Sequence, residues 1–325
     1  MMTLADFLAE WHDDSPWLTV HTSGSTGDPK PLRVEKERMR QSALMTLSFL
    51  GVEKGETALL CMPLDYIAGK MMVVRSVVGQ LKLISIPPSG HPMADPTVRD
   101  EPIGFAAMVP LQVYNSLQVP EERERLKNVS HLIIGGGAVD PDLENRLRGF
   151  PNAVWSTYGM TETLSHIAMR RINGLQASSW YQPLPGVVIS QDDEGCLVIH
   201  APKVCAQELK TNDIVELYAD GQRFKILGRK DNVICCGGIK IQAEQVEEIL
   251  RPYLVAPFYI GKMKDAKFGE IPVLVTESSD KKTLEDILSH VLPKYWCPRK
   301  IVTVKKLPVT ETGKPRRSVI PLNDG

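Results

Sequence analysis

Chemistry-bearing residues of this chain gather in short stretches that each follow an apolar run. Four hydroxyl residues and two glycines crowd into Thr22-Ser23-Gly24-Ser25-Thr26-Gly27-Asp28-Pro29-Lys30, directly after WLTVH. Glycine lets backbone amides approach a ligand closely, and amides with hydroxyls can wrap phosphate oxygens. Lys30 adds a positive charge, yet the Gly-Lys-Ser/Thr ending of a Walker loop is absent, because Pro29 precedes it and Pro31 follows it. A flexible Ser/Gly turn is the plainer alternative. Next, Gly159-Met160-Thr161-Glu162-Thr163 continues the run AVWSTY, which ends at Tyr158. A hydroxyl beside a carboxylate offers one group to a phosphate and one to its magnesium, since Mg²⁺ favours oxygen ligands shared with phosphates. Tyr158 could stack on a nucleobase; a helix start capped by Thr161 is the alternative. Gly135, Gly136 and Gly137, after HLII, form a turn whose bare backbone admits a planar base, although the GxGxxG pattern is incomplete. Asp213 could hold two vicinal ribose hydroxyls and Arg229 the same sugar or its phosphate; singly, both read as solvated turn residues. Near the end of the sequence, Gly313 sets Lys314 on a tight turn. There it is either a long cation able to swing into another domain's site or part of a solvated basic tail.

The elements that must carry these residues alternate. Apolar runs at 17–20, 57–61, 82–86 and 131–134 read as buried strands, with helical patterns at 36–50, 70–78 and 140–148 between them. This implies an α/β sheet with loops presented at strand ends. After about residue 172 come short strands punctuated by Gly and Asp, a β-rich section. Beyond a charged turn at 228–232 the pattern changes to a strand, a helix over 243–251, a strand pair, a helix near 284–292 and a last strand. The predicted architecture is therefore a large N-terminal α/β domain (1–228) with its β-rich section, followed by a small α+β domain (232–325).

Composition narrows the classes. The 325 residues are 43% hydrophobic and 24% charged, with a formal net charge of -1. That suits an ordinary globular protein and lacks the basic surplus of a nucleic-acid binder. The opening MMTLADFLAEWHDD carries acid where a secretion signal carries base, and the most apolar stretch, 61–79, is broken by Asp65, Lys70 and Arg75. A cytoplasmic location without a membrane span is the expectation. The six cysteines, Cys61, Cys196, Cys205, Cys235, Cys236 and Cys297, form no CxxC pair, so neither a zinc site nor a thioredoxin-type motif is expected.

Taken in order, the Ser/Thr/Gly loop, YGMTET, TND, GRKDNVICCGGIKI and PVTETGK resemble the adenylate-forming superfamily of acyl-CoA synthetases, peptide-synthetase adenylation domains and luciferases. The resemblance runs from Thr19 to Arg317. It implies ATP and Mg²⁺ as ligands and CoA as co-substrate. Thr22 to Lys30 would hold the phosphates, and Thr161 and Glu162 would contact phosphate and metal. Gly135 to Gly137, Tyr158 and Gly159 would frame adenine, and Asp213 and Arg229 the ribose. Lys314 would stabilise charge at the α-phosphate. Asp231 stands at the family's hinge, about which the small domain turns to present the loop of Gly237, Gly238 and Lys240 to a thiol.

Pro63-Leu64-Asp65-Tyr66-Ile67-Ala68-Gly69 with Arg75, and Thr163-Leu164-Ser165-His166, further resemble the o-succinylbenzoate–CoA ligases of menaquinone synthesis. Such an acid has two carboxylates, and the one not activated needs a partner inside an apolar pocket. Arg75 is the expected partner, with Tyr66, Thr163, Ser165 and His166 around the ring; a structural salt bridge is the alternative role for Arg75. Three features depart from the family pattern. The phosphate loop begins already at Thr22, Asp65-Tyr66 replaces an aromatic-His pair, and Ile239-Lys240 replaces Glu-Asn. Other readings are an adenylation enzyme for a different acid, loading CoA or a separate carrier protein, and a non-catalytic ATP-binding sensor. A homodimer is left open.

Overall fold

The computed structural model describes residues 2–21, 31–308, 317 and 320. The readings placed on residues 22–30 and on Lys314 lie outside the described residues. Two compact units divide the chain: Met1–Ile189 with Ile199–Leu209 and Tyr218–Phe224, and Ser190–Val198 with Lys210–Leu217 and Lys225–Gly325. The division is interleaved, so the β-rich section is shared between the units and the C-terminal module falls in the second.

The first unit is built on a seven-stranded sheet in the order Lys82–Ser85, Thr57–Leu60, Phe105–Met108, His131–Ile134, Ala153–Gly159, His166–Arg171, Gln182–Pro183. The first five strands are parallel and the last two antiparallel. Thr57–Leu60 and Phe105–Met108 are buried at every position, as expected of parallel strands covered on both faces. Helices Lys36–Leu50 and Ile67–Gly79 pack against each other, and the second buries every residue from Gly69 to Ser76. Ahead of the sheet, Trp17–His21 pairs antiparallel with Pro31–Glu35, closing at His21↔Pro31. The ends of the Ser/Thr/Gly loop are therefore clamped side by side.

The second unit holds the larger part of a four-stranded sheet and, after Arg229, a five-stranded one. In the latter, hairpins Val233–Cys236/Ile239–Gln242 and Phe258–Asp265/Gly269–Thr276 are joined by Lys300–Thr303, parallel to Gly269–Thr276. Helices Ala243–Leu250 and Lys281–Val291 bury Val246, Leu250, Leu284 and Leu288 in a core with Tyr259, Val273 and Val275. No helix among the described residues is long and apolar enough to cross a membrane.

Candidate active site

Adjacent parallel strands His131–Ile134 and Ala153–Gly159 run the same way, the second continuing past the Ile134↔Ser156 pair, so residues 135–137 and 160–163 both follow the carboxyl ends of their strands. Ligands of open α/β sheets bind at this carboxyl edge. A Cβ at Gly135 would stand 2.4 Å from Thr157 Oγ1, so the turn lies hard against the neighbouring strand. Gly159 is tighter still: a Cβ there would come within 2.3 Å of the Ser165 carbonyl oxygen and 2.4 Å of His166 Cα. Its place in the site is thus to let the strand cross the returning segment at backbone contact. The Tyr158 ring is buried edge-on to Phe224, with centroids 5.2 Å apart, and 6.0 Å from Tyr181.

Between strand and returning strand runs the turn Thr161–Thr163. Thr161 is buried, whereas Glu162 is exposed and forms no ion pair with a described residue. Thr163 is wholly buried; its hydroxyl accepts from Met160 N (3.1 Å) and donates to Ser165 O (2.7 Å). These bonds hold Leu164 at φ 66°, a conformation that a branched L-residue rarely adopts. Such strain persists only where the surroundings over-determine it. Its effect here is to aim Ser165 and His166 at the helix Ile67–Gly79.

What they meet is Arg75. Its side chain is 2% exposed, and Nη2 donates to Ser165 Oγ at 2.5 Å. Nη1 lies 3.9 Å from the Met72 sulfur, and Nε, fully enclosed, has no acceptor. No described carboxylate pairs with it, so the expected alternative of a structural salt bridge is not what surrounds it. Burial pushes the guanidinium down to about 9, still charged at neutral pH. His166 lies behind Ser165, with Nδ1 3.3 Å from Ser165 Oγ and Nε2 2.9 Å from Thr46 Oγ1. Burial, and secondarily the Arg75 charge, hold it well below the usual histidine range, hence neutral. Tyr66 stands apart, 45% exposed at the start of the same helix, where Asp65 accepts from Met2 N.

Within the second unit Arg229 reaches two carboxylates: Nη1 is 3.4 Å from Asp213 Oδ1 and Nη2 2.9 Å from Asp231 Oδ2. The expected ribose pair is thus brought together, next to the residue expected at the hinge. Gly237 and Gly238, at φ 57° and 87°, are the two central residues of the hairpin turn between Cys236 and Ile239. Two consecutive positive φ values make a primed turn, for which glycine is the natural choice. Lys240 is exposed and faces Cys235 across the ladder; Cys235 is exposed while Cys236 is in the core. Beyond residue 308, Arg317 is the described residue that forms hydrogen bonds. It pairs with Glu247 through two bonds, one of them 2.9 Å, and donates to Ile260 O at 2.8 Å.

Sequence reasoning missed Thr46. Its signal was a pair of hydroxyl residues, Ser42 and Thr46, one helical turn apart on the buried side of Lys36–Leu50. It also passed over Lys70 as a candidate polar contact. This buried ammonium donates to Thr19 O, in the strand that leads into the Ser/Thr/Gly loop. An open groove of about 320 Å³ beside Cys297 and Arg299 contains none of the site residues. Among the described residues no cluster of three or more His, Cys, Asp or Glu could hold a metal.

The model of AMP-binding enzymes matches residues 6–202. Among curated relatives, the 2-succinylbenzoate–CoA ligase of Bacillus thuringiensis subsp. konkukian (strain 97-27) is 26% identical over 320 residues, covering 89% of this chain and 66% of its own. The chain thus spans 66% of the length of the first such relatives. The crystal structure of an acyl-CoA synthetase (AMP-forming)/AMP-acid ligase II-like protein from Dyadobacter fermentans DSM 18053 is 33% identical, with a TM-score of 0.67, covering 96% of this chain and 91% of that one. In fold, the chain also matches the o-succinylbenzoate CoA synthetase MenE from Bacillus subtilis in complex with ATP and magnesium ion. The TM-score is 0.75 at 22% identity, covering 92% of this chain and 68% of that one. With more than half of its length under the family model, and a solved relative at one-third identity, this chain belongs to the family of AMP-binding enzymes.

Proposed function

We propose that the protein is an AMP-forming acid–thiol ligase whose acid is o-succinylbenzoate, joined first to AMP and then to CoA. The observation that carries the choice of acid is Arg75: a buried guanidinium with a spare donor and no carboxylate of its own among the described residues. Leaving a charge so placed costs stability unless a ligand supplies the countercharge. The second carboxylate of the acid supplies it, while the apolar wall of Met71, Met72 and Val74 takes the ring. Met72, flexible and in contact with the guanidinium, is the side chain that gives way.

In the first step one carboxylate oxygen of the acid attacks the α-phosphorus of ATP; the bond to pyrophosphate breaks and the acyl-adenylate remains. In the second, the CoA thiol attacks the acyl carbon, loses its proton and expels AMP. Positioning and positive charge supply most of the acceleration. Residues 22–30 hold phosphates, Thr161 a phosphate oxygen, and Asp213 with Arg229 the ribose. Glu162, exposed and unpaired among the described residues, suits a Mg²⁺ that neutralises phosphate charge. Lys314 enters for adenylation and leaves, by a turn at Asp231, before thiol attack beside Gly237, Gly238 and Lys240. Neighbouring glycines there keep side chains out of the path of a thiol.

Pyrophosphate release over a panel of aromatic and aliphatic acids, with and without CoA, tests the reading. Release and CoA thioester formation with o-succinylbenzoate, and much less with mono-acids, are expected. No release with any acid points to an ATP-binding sensor, and release that ignores CoA points to a carrier protein as acceptor.

A further inference from the structure

The polar groups behind Arg75 form a chain in which the direction of every proton can be assigned. The Thr46 hydroxyl donates to Ser42 O one helical turn back, at 3.0 Å. Having one proton, it can only accept from His166 Nε2, 2.9 Å away, so His166 is the Nε2–H tautomer. With His166 neutral, its Nδ1 is an acceptor and takes the Ser165 hydroxyl proton across 3.3 Å. Ser165 Oγ then has lone pairs and no proton left for anything on its other side, where Arg75 Nη2 donates to it at 2.5 Å. Donation runs one way, from Arg75 to the helix backbone at Ser42. Were Thr46 not an acceptor, the other tautomer would compete, with Nδ1–H pointing at Ser165 and the serine proton turned outward.

We infer that Thr46 and His166 are positioning residues: by fixing the imidazole tautomer they hold Ser165 as a pure acceptor for Arg75. Among the described residues that contact Ser165, Arg75 is then the donor and the charge left to meet a ligand. The inference rests on the reading that Arg75 meets the second carboxylate of the acid, and it narrows the chemical class. A single positive charge with donors only fits a monoanionic group that accepts and does not donate. A carboxylate meets that description. A primary amide brings protons that Ser165 is too occupied to orient, and a phosphonate dianion brings a second charge that nothing described balances.

Nitrogen-15 NMR of the histidine-labelled full chain, with His166→Gln to assign the signals, reads the tautomer directly. A neutral Nε2–H imidazole at neutral pH is expected; an Nδ1–H or doubly protonated ring overturns the inference. In turnover, Thr46→Val is expected to raise the KM for o-succinylbenzoate roughly 10-fold, about the worth of one hydrogen bond, and to leave the KM for ATP unchanged. Thr46→Ser, which keeps the hydroxyl, is expected to restore the wild-type KM. Preference for o-succinylbenzoate over its mono-amide is expected to narrow in Thr46→Val, which a merely structural loss would not cause. Arg75→Leu is the control. If it raises the KM for the acid and Thr46→Val does not, the tautomer relay is wrong; if Arg75→Leu itself leaves that KM unchanged, the reading of the acid site fails.

Discussion

Two arginines, one in each unit, are treated in opposite ways: Arg75 is buried and Arg317 is partly buried. Arg317 is met by both oxygens of Glu247 and by a backbone carbonyl, and its partners push its pKa up against the cost of burial. Arg75 is more deeply enclosed, meets only a serine hydroxyl and a thioether among the described residues, and burial pushes its pKa down to about 9. Equal chemistry in unequal surroundings separates a clasp from a receptor. A guanidinium that the fold has neutralised is part of the fold, and one that it has left charged awaits a countercharge from outside.

The sharpest break is at the clasp. Arg317→Met is expected to destabilise the chain by about 3–5 kcal/mol, because Glu247 is left buried without its partner; denaturant unfolding measures it. Its neighbour on the chain should behave in the reverse manner. Lys314→Ala is expected to lose roughly 10²-fold in adenylation, as for other removed charge-stabilising groups, with unfolding unchanged. Thioester formation from supplied adenylate should suffer much less, and equal loss in both steps would count against the role of Lys314. Arg75→Met is the decisive contrast with Arg317→Met. It is expected to stabilise the unliganded chain by about 1–4 kcal/mol, as apolar replacement of uncompensated buried charge does, while weakening acid binding. A fall in Tm would mean that Arg75 is compensated by something other than a ligand.

The smallest effect is on pH dependence. His166 has a folded pKa below its ordinary 6.5, so between the two values the unfolded chain binds more protons and stability falls as pH falls. The contribution is fully present above 6.5, and His166→Gln should remove a slope of at most about 1.4 kcal/mol per pH unit. Arg75 adds no slope near neutrality: with a folded value of about 9 against 12.5, its cost builds as pH drops between those values and is constant below.

Much of this was legible in one dimension. The helix over 36–50 and the strands at 131–134 and near 17–20 stand where the apolar periodicity put them, because burial of a 3.6- or 2-residue stripe is a local rule. The strand Phe105–Met108 and the helices Pro110–Gln118 and Pro120–Lys127 were not read. FAAM is too short a run to separate from a buried helix segment, and the two helices, though each opens at a proline, are 9 and 8 residues long, too short to show a clear period. The candidate residues Asp213 and Arg229 come together as their spacing with the family motifs implied. Tyr158 and Gly159 turn out to have packing duties that no spacing announced.

Residue types and order by themselves determined the α/β class and the family and named candidates for gripping a nucleotide, since these follow from local pattern and from which atoms a side chain carries. Tertiary structure alone decided that no described carboxylate stands beside Arg75 and that a threonine from another helix lies 2.9 Å from His166 Nε2. Those are properties of what lies across space from a group, and desolvation, which makes an unpaired charge matter, exists only once the chain has closed around it.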